Sequence, residues 1–425
     1  MKENQPKHQA GFLRTNIRRV VILFVLYMAA DYILDSYVYP KAVTHPVQEW
    51  VPSAYLFTEF EITTADGFVL SVYQVVHRQN HRKDYPPVII QHGFGGSGFS
   101  WYIHSESQSV PLVMADLGYT VQVLNGRGTT ASLKHNKLNY SQPEFWNFTL
   151  EDLSYDVLAL LDYNQAAGFK KSVYIGHSQG ASQMMAGLGD SRFKTQLQKK
   201  LAISFLLTPV WCFKDHQSVL LRILSHLTFT DSLVLQTLGF QQFGIKFASQ
   251  NPIQILKEQL YNQLCSIYPK ACFWAFSGTD KSNEFNDLSN YGTWTRHHPA
   301  SVPIKGAYHF AQFARDSVDG TCDMGRYDYG TEKNLQVYGS ERSPRYNLTD
   351  ISHPVNIYFG DQDKYYGPED VNRVRNLFKG KSNVKILDHY TGWGHMSFTQ
   401  GTKTREFYTN DIHKDIQAAL KSTAA

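Results

Sequence analysis

The chain has 425 residues, enough for one large domain carrying an insertion or for two domains. Its formal charge of +4 is spread without a basic block, which argues against a nucleic-acid partner. Four cysteines (Cys212, Cys265, Cys272 and Cys322) do not make a disulfide framework in so long a chain, and none has metal-site spacing beside histidines, so no metal is expected.

At the N-terminus, Arg14, Arg18 and Arg19 precede an uncharged apolar run from Val20 to Ala30 that Asp31 interrupts. The run suits a signal-peptide core and falls short of the roughly 20 residues that span a bilayer. No good A-x-A cleavage site comes after it. Continued past Asp31 and Asp35, Val20 to Val38 reads instead as an uncleaved membrane anchor with a cytosolic N-terminus. Residues 1–40 are therefore a signal peptide or a signal anchor, and the chain beyond residue 40 is expected to be lumenal or extracellular. N-x-S/T sequons at Asn139, Asn147 and Asn347 are compatible with that placement. Asn147 lies in an aromatic cluster and reads as a buried position.

Phe60 to Tyr73 holds two strands joined by the turn Ala65-Asp66-Gly67. Pro87 to Gln91 is a short apolar strand that runs into His92-Gly93-Phe94-Gly95-Gly96-Ser97-Gly98, a loop whose glycines let backbone N–H groups approach a ligand. Tyr119 to Leu124 is a strand ending in Asn125-Gly126-Arg127-Gly128. A helix over about 150–167 leads to the strand at Val173. Next comes Gly176-His177-Ser178-Gln179-Gly180, which fits G-x-S-x-G, the nucleophile elbow of α/β-hydrolases. The elbow needs Gly176 and Gly180 because a side chain at either place would collide with backbone on so sharp a turn. A helix from Ala181 to Leu188 comes next, then a strand from Leu201 to Leu207.

From about 209 to 350 the alternation of strands and helices stops. The pattern there is largely helical, with Gly278 to Gly292 and Gly320 to Ser343 read as loops. Alternation resumes with strands at Val355 to Phe359 and Val384 to Leu387, and a helix over Thr404 to Leu420 closes the chain. The expected fold is α/β: an α/β-hydrolase with a mostly parallel central sheet and an inserted helical cap. Residues 41–208 form the first part of the core, 209–350 the cap, and 351–425 the second part.

Ser178, Asp363 and His395 come in the hydrolase order, each just past a strand. Ser178 is a poor nucleophile until a base takes its proton, the role given to His395. His395 needs an acid to hold its tautomer and stabilise the imidazolium, the role given to Asp363. Asp361 is the rival acid and His389 the rival base. The backbone N–H groups of Phe94 and Gln179 are expected to form the oxyanion hole. His177 reads as a packing or orienting residue and His92 as a brace for its loop, while His297, His298 and His309 read as cap histidines.

With these residues in place, the chain resembles the acid lipase family, the group that includes lysosomal acid lipase and gastric lipase. The resemblance runs from about residue 55 to 415. Thr63 to Leu70, Gln91-His92-Gly93, Asn125 to Gly128, Phe145 to Phe148 and the elbow carry its first half. His298-Pro299-Ala300, His309 to Gln312, Gly360 to Asp363 and Gly394 to Phe398 carry its second. It implies an acyl-enzyme serine hydrolase that cleaves lipid esters (triacylglycerols or cholesteryl esters) at a lipid–water interface without a cofactor. It also supports Asp363 over Asp361, since Pro368-Glu369-Asp370-Val371 comes after Asp363 at the family's spacing. An acyltransferase on the same scaffold and a non-catalytic lipid-binding protein are the alternatives. Phe94 stands where the family usually has leucine, and Ser397 where it has aspartate. Cys265 resembles the first half of the family's cap disulfide, but Ser277 stands near the expected second half, so pairing of Cys265 with Cys272 is left open.

Overall fold

A computed structural model describes residues 47–218, 241–243, 260, 263–264, 267–268, 278–282, 284–318 and 322–424. The run at Val20 to Val38, together with Cys265 and Cys272, lies outside these residues. Among the described residues, no helix is long and apolar enough to cross a membrane.

The chain enters through a hairpin of β1 (Tyr55–Thr63) and β2 (Phe68–His77), antiparallel from Tyr55 opposite His77 to Thr63 opposite Val69. Gly67, at φ +101°, supplies the left-handed turn residue. Next come β3 (Val88–Gln91), helix α1 (Val110–Asp116), β4 (Val121–Leu124) and the short β5 (Lys134–His135). The helix expected over 150–167 begins as a 3-10 turn, Glu151–Leu153, and continues as α2 (Ser154–Ala166). β6 (Ser172–His177), α3 (Gln179–Gly189), α4 (Lys194–Lys200) and β7 (Leu201–Leu207) complete the first half.

After the insertion, β10 (Val355–Gly360), α8 (Pro368–Leu377) and β11 (Val384–Tyr390) resume the alternation. The sheet order is β1-β2-β4-β3-β6-β7-β10-β11, with β5 beside β2. Every pairing from β4 through β11 is parallel. β3, β4, β6, β7 and β10 are buried at every position, as strands covered on both faces must be. Alternate residues feed two cores. Ile89, Tyr174 and Leu206 pack with Leu160, Leu161, Met184 and Met185 from α2 and α3. Val88, Ile90, Val173, Ile175 and Phe205 pack with Val113 and Met114 from α1 and Ile416 from the C-terminal helix. Each such buried aliphatic side chain stabilises the fold by about 1.5–3 kcal/mol.

β7 pairs directly with β10, so residues 208–354 leave the sheet and return to it. Described parts of this insertion include β8 (Gln242–Phe243), α5 (Tyr291–His297), β9 (Val302–Pro303), α6 (Ile304–Val318) and α7 (Thr331–Tyr338). Helix α7 falls inside the stretch read from sequence as a loop. It is flanked by Gly330 and a left-handed Gly339, and its Leu335 and Val337 are exposed, so it carries no clean apolar stripe for periodicity to reveal. The closing helix also differs from the expected single α-helix. It runs as α9 (Thr404–Phe407), a π-turn (Tyr408–Ile412) and α10 (His413–Ala424), and the wider turn buries Tyr408 and Ile412 beside Phe407 and Ile416. Asn147, read as buried, is exposed, as are Asn139 and Asn347. Cys212 and Cys322 form a disulfide, a pairing that the cysteine spacing does not announce.

One charge cluster ties the hairpin to the core. Buried Arg127 binds Asp66 through both terminal nitrogens at 2.6 and 3.0 Å, and binds Asp156 through Nε at 2.7 Å. Its backbone N–H also donates to Asp156 at 2.9 Å, and its guanidinium lies 4.2 Å from the centre of the Phe68 ring. Arg127→Ala leaves Asp156 buried without its partner. Denaturant titration should show a loss of about 3–5 kcal/mol of unfolding free energy.

Candidate active site

Strand β6 ends at Gly176-His177 and helix α3 begins at Gln179, so Ser178 alone makes the turn. Its φ of 54° and ψ of −115° lie where a non-glycine residue is strained. The surroundings hold it there. Ser178 N–H donates to Leu207 O at 2.9 Å, and its carbonyl accepts Ser182 N–H at 3.0 Å. The two elbow glycines are steric necessities. A Cβ on Gly176 would lie 2.6 Å from the Gly180 backbone, and one on Gly180 would lie 2.7 Å from Gln91 O.

The loop after β3 lies against the serine. A Cβ on Gly93 would stand 3.0 Å from Ser178 Cβ and 3.5 Å from its Oγ. The N–H groups of Phe94 and Gln179 make no hydrogen bond among the described residues and remain available to a ligand. His92 braces this loop, as expected: its Nδ1 pairs with Gly93 O at 2.9 Å and its Nε2 accepts Gly126 N–H at 3.1 Å. Burial holds His92 down at about 4, so it is neutral and donates from Nδ1. Asn125 adds a second brace by accepting Gly98 N–H at 2.8 Å. Asn125 and Gly126 thus anchor this loop from the end of β4.

Asp363 comes just after β10 and His395 just after β11. His395 Nδ1 donates to Asp363 Oδ2 at 2.8 Å, and Asp363 Oδ1 accepts Tyr365 N–H at 2.7 Å. Both side chains are buried, and the Tyr365 ring packs edge-on against the imidazole with centroids 4.6 Å apart. The rivals sit elsewhere. Asp361 accepts Gly392 N–H at 2.8 Å, and His389 is exposed and stacks on Tyr390. His177 donates from Nε2 to His395 O at 2.9 Å, and burial first, then His395, pushes it well below the usual histidine range. Ser178 Oγ makes no hydrogen bond among the described residues. Nucleophile–base contacts in unliganded sites are often open and tighten with substrate.

The cap histidines play other parts. His297 packs on Phe99, His298 stacks on Trp294, and buried His309 pairs with Gly325 O at 3.1 Å. Beside the 92–98 loop opens a pocket whose apolar wall is Phe94, Phe148, Leu150, Leu153 and Phe310. The insertion touches the loop directly, through Ala300 N–H to Gly95 O at 2.6 Å. One residue is invisible to sequence reasoning: Asp280, fully buried, accepts the backbone N–H of His395 at 2.5 Å. It lies in a stretch read only as a loop, and its partner is main chain, so no side-chain motif announces it. Among the described residues the one cluster of metal-type side chains is Cys212, Cys322 and Asp370, and its two sulfurs are joined as a disulfide.

An elbow serine, a histidine–carboxylate pair and two free N–H groups at the C-terminal ends of a parallel sheet define an α/β-hydrolase. Residues 52–105 match the family described as a partial alpha/beta-hydrolase lipase region, and residues 86–194 match the alpha/beta hydrolase fold. The chain is 28% identical to Lipase member K of Homo sapiens over 369 residues, covering 85% of this chain and 87% of that one. It is 28% identical to Gastric triacylglycerol lipase of Bos taurus, covering 83% and 86%. It is 27% identical to Triacylglycerol lipase 2 of Arabidopsis thaliana, covering 84% of each. The resemblance to the acid lipases read from the sequence is borne out, and the chain is a carboxylic ester hydrolase.

Gly176→Ala and Gly180→Ala each force backbone apart at the elbow. Both should lower the rate of Ser178 labelling by a fluorophosphonate at least about 10²-fold, since reacting groups misplaced by an ångström lose that much. Labelling by intact-mass spectrometry, on protein whose circular dichroism is native, checks this.

Proposed function

We propose that the chain is a serine lipase acting on carboxylic esters of lipids, with Ser178 as nucleophile, His395 as base and Asp363 as its acid. The observation that carries this is the 2.8 Å bond from His395 Nδ1 to Asp363, on a loop that packs against the serine's own elbow. Ser178 Oγ attacks the ester carbonyl carbon and its proton passes to His395 Nε2. The N–H groups of Phe94 and Gln179 receive the oxyanion, each worth about 3–4 kcal/mol of barrier. The carbonyl–alkoxy bond then breaks, His395 protonates the leaving alcohol, and the acyl group stays on Ser178. Water, deprotonated by His395, attacks the acyl-enzyme, and the proton returns to Ser178 as the carboxylic acid leaves. The pocket walled by Phe94, Phe148 and Phe310 takes the acyl chain, and the insertion acts as a cap over it.

Triacylglycerol is the substrate class named in two of the relatives, and we extend it to this chain. The relatives named above are lipases, which favours ester hydrolysis over acyl transfer or binding alone. Ser178→Ala should lose at least about 10³-fold in kcat on emulsified long-chain triacylglycerol and on a soluble short-chain ester, and Asp363→Asn about 10⁴-fold with KM little changed. Wild-type protein active only on the soluble ester would refute a lipase. Folded protein active on neither, and unlabelled by a fluorophosphonate, would refute the hydrolase.

We also place the protein in the secretory pathway, lumenal or extracellular, with residues 20–38 as signal peptide or anchor. The exposed Asn139, Asn147 and Asn347 and the Cys212–Cys322 disulfide support this. Protein made in secretory cells should lose mass on treatment with peptide N-glycosidase. An unchanged mass, with the disulfide reduced, would overturn the placement.

A further inference from the structure

Against the His395 turn lies a buried carboxylate, Asp280, that the triad chemistry does not use. Asp280 Oδ1 accepts the backbone N–H groups of His395 at 2.5 Å and Met396 at 3.3 Å, and its Oδ2 accepts Asn286 Nδ2–H at 2.5 Å. Asn286 Oδ1 accepts Ser397 Oγ–H at 2.7 Å, and Ser397 Oγ accepts Gly394 N–H at 2.8 Å. The turn Gly394-His395-Met396-Ser397 is therefore held by the 278–286 segment. Gly394 has no side chain because one would overlap the Asp280 carboxyl. The same segment grips the acid loop, through Lys281 N–H to Gln362 O at 2.7 Å and Lys364 N–H to Thr279 O at 2.8 Å.

We propose that Asp280 is a positioning residue for the catalytic base, fixing the main chain of His395 while Asp363 fixes its ring. The proposal rests on the reading of Ser178, His395 and Asp363 as the triad. A ring bonded at one nitrogen can still swing with its backbone, and a shift of an ångström is costly in rate. Holding both ends removes that freedom. A turn that needed only its N–H groups satisfied has neutral carbonyls at hand. A second buried carboxylate beside Asp363 is a costly alternative, and burial first, then the charge of Asp363, raises Asp280 to about 6. The titratable groups facing it are Asp363, His395 and Tyr365. Lys281 Nζ turns away to Asp361 O at 3.2 Å. Ionised, Asp280 adds negative charge beside the imidazolium that forms when Ser178 gives up its proton.

Asp280→Asn keeps the shape and one acceptor oxygen. On a soluble short-chain ester its kcat should fall at least tenfold with KM within twofold. The acid limb of its kcat/KM profile should move to lower pH, because a negative charge has left the imidazolium's side. The low-field proton NMR resonance of the carboxylate-bound Nδ1–H should weaken or vanish. That resonance needs no turnover, so it judges Asp280 even where wild-type protein cleaves no ester, an outcome that would sink the triad reading alone. Unchanged kcat, pH profile and resonance overturn the proposal. Should Asp280→Asn fail to fold, Asn286→Ala and Ser397→Ala remove the supports one at a time. Each should lower kcat without raising KM, and wild-type kcat and resonance in both overturn it.

Discussion

The close crossing of β6 and α3 is the constraint on which the site depends. Backbone meets backbone at Gly176, where a Cβ would strike Gly180, and Gly180 in turn lies against Gln91 O at the end of β3. That contact compels Ser178 into a left-handed conformation whose strain is about 1–3 kcal/mol. The strain is offset by a strand buried at all six positions between two cores. Ser178 Oγ is left without a hydrogen bond among the described residues, and so is the Gln179 N–H at the start of α3. Gly93 extends the same logic to the neighbouring loop, because any side chain there would press on Ser178.

The insertion is woven into this arrangement. Pro299 and Val302 lie on the loop at Gly95, and Thr279, Asp280, Lys281 and Asn286 hold the loops of Asp363 and His395. Residues after β7 and before β10 therefore touch the loops that carry Phe94, Asp363 and His395. The Cys212–Cys322 disulfide ties the insertion's first turn to a point 110 residues on. In the chain-entropy account such a closure stabilises the fold by about 5 kcal/mol by restricting the unfolded chain. Removing this insertion would take away the backing of the His395 turn.

The sheet was legible because its strands are short, apolar and punctuated by glycine and proline, and because burial on both faces leaves little ambiguity at Val173 to His177 or Leu201 to Leu207. Ser178, Asp363 and His395 stood out since each comes just after a strand and carries a side chain that chemistry requires. The features hidden from the sequence share a physical cause. Helix α7 has no apolar stripe, and the π-turn at Tyr408 changes winding without changing composition. The Cys212–Cys322 contact joins residues whose proximity only the tertiary fold creates. Asp280 works through main-chain N–H groups, which every residue but proline possesses and which no side-chain pattern can single out.

Three histidines crowd the site, and their partners decide which one can act as base. His92 donates to Gly93 O and accepts from Gly126 N–H, so both nitrogens are committed to the loop's own backbone. His177 donates to His395 O, and its charged form is opposed both by burial and by His395. Neither has a carboxylate on its ring. His395 has Asp363 on Nδ1, and its Nε2 makes no hydrogen bond among the described residues. An imidazolium formed there is met by one carboxylate at the ring and a second at the main chain, whereas a proton placed on His92 or His177 would be buried with neutral carbonyls alone. The carboxylate on its ring thus sets His395 apart, and the two neutral histidines hold the 92–98 loop and the His395 turn in register around it.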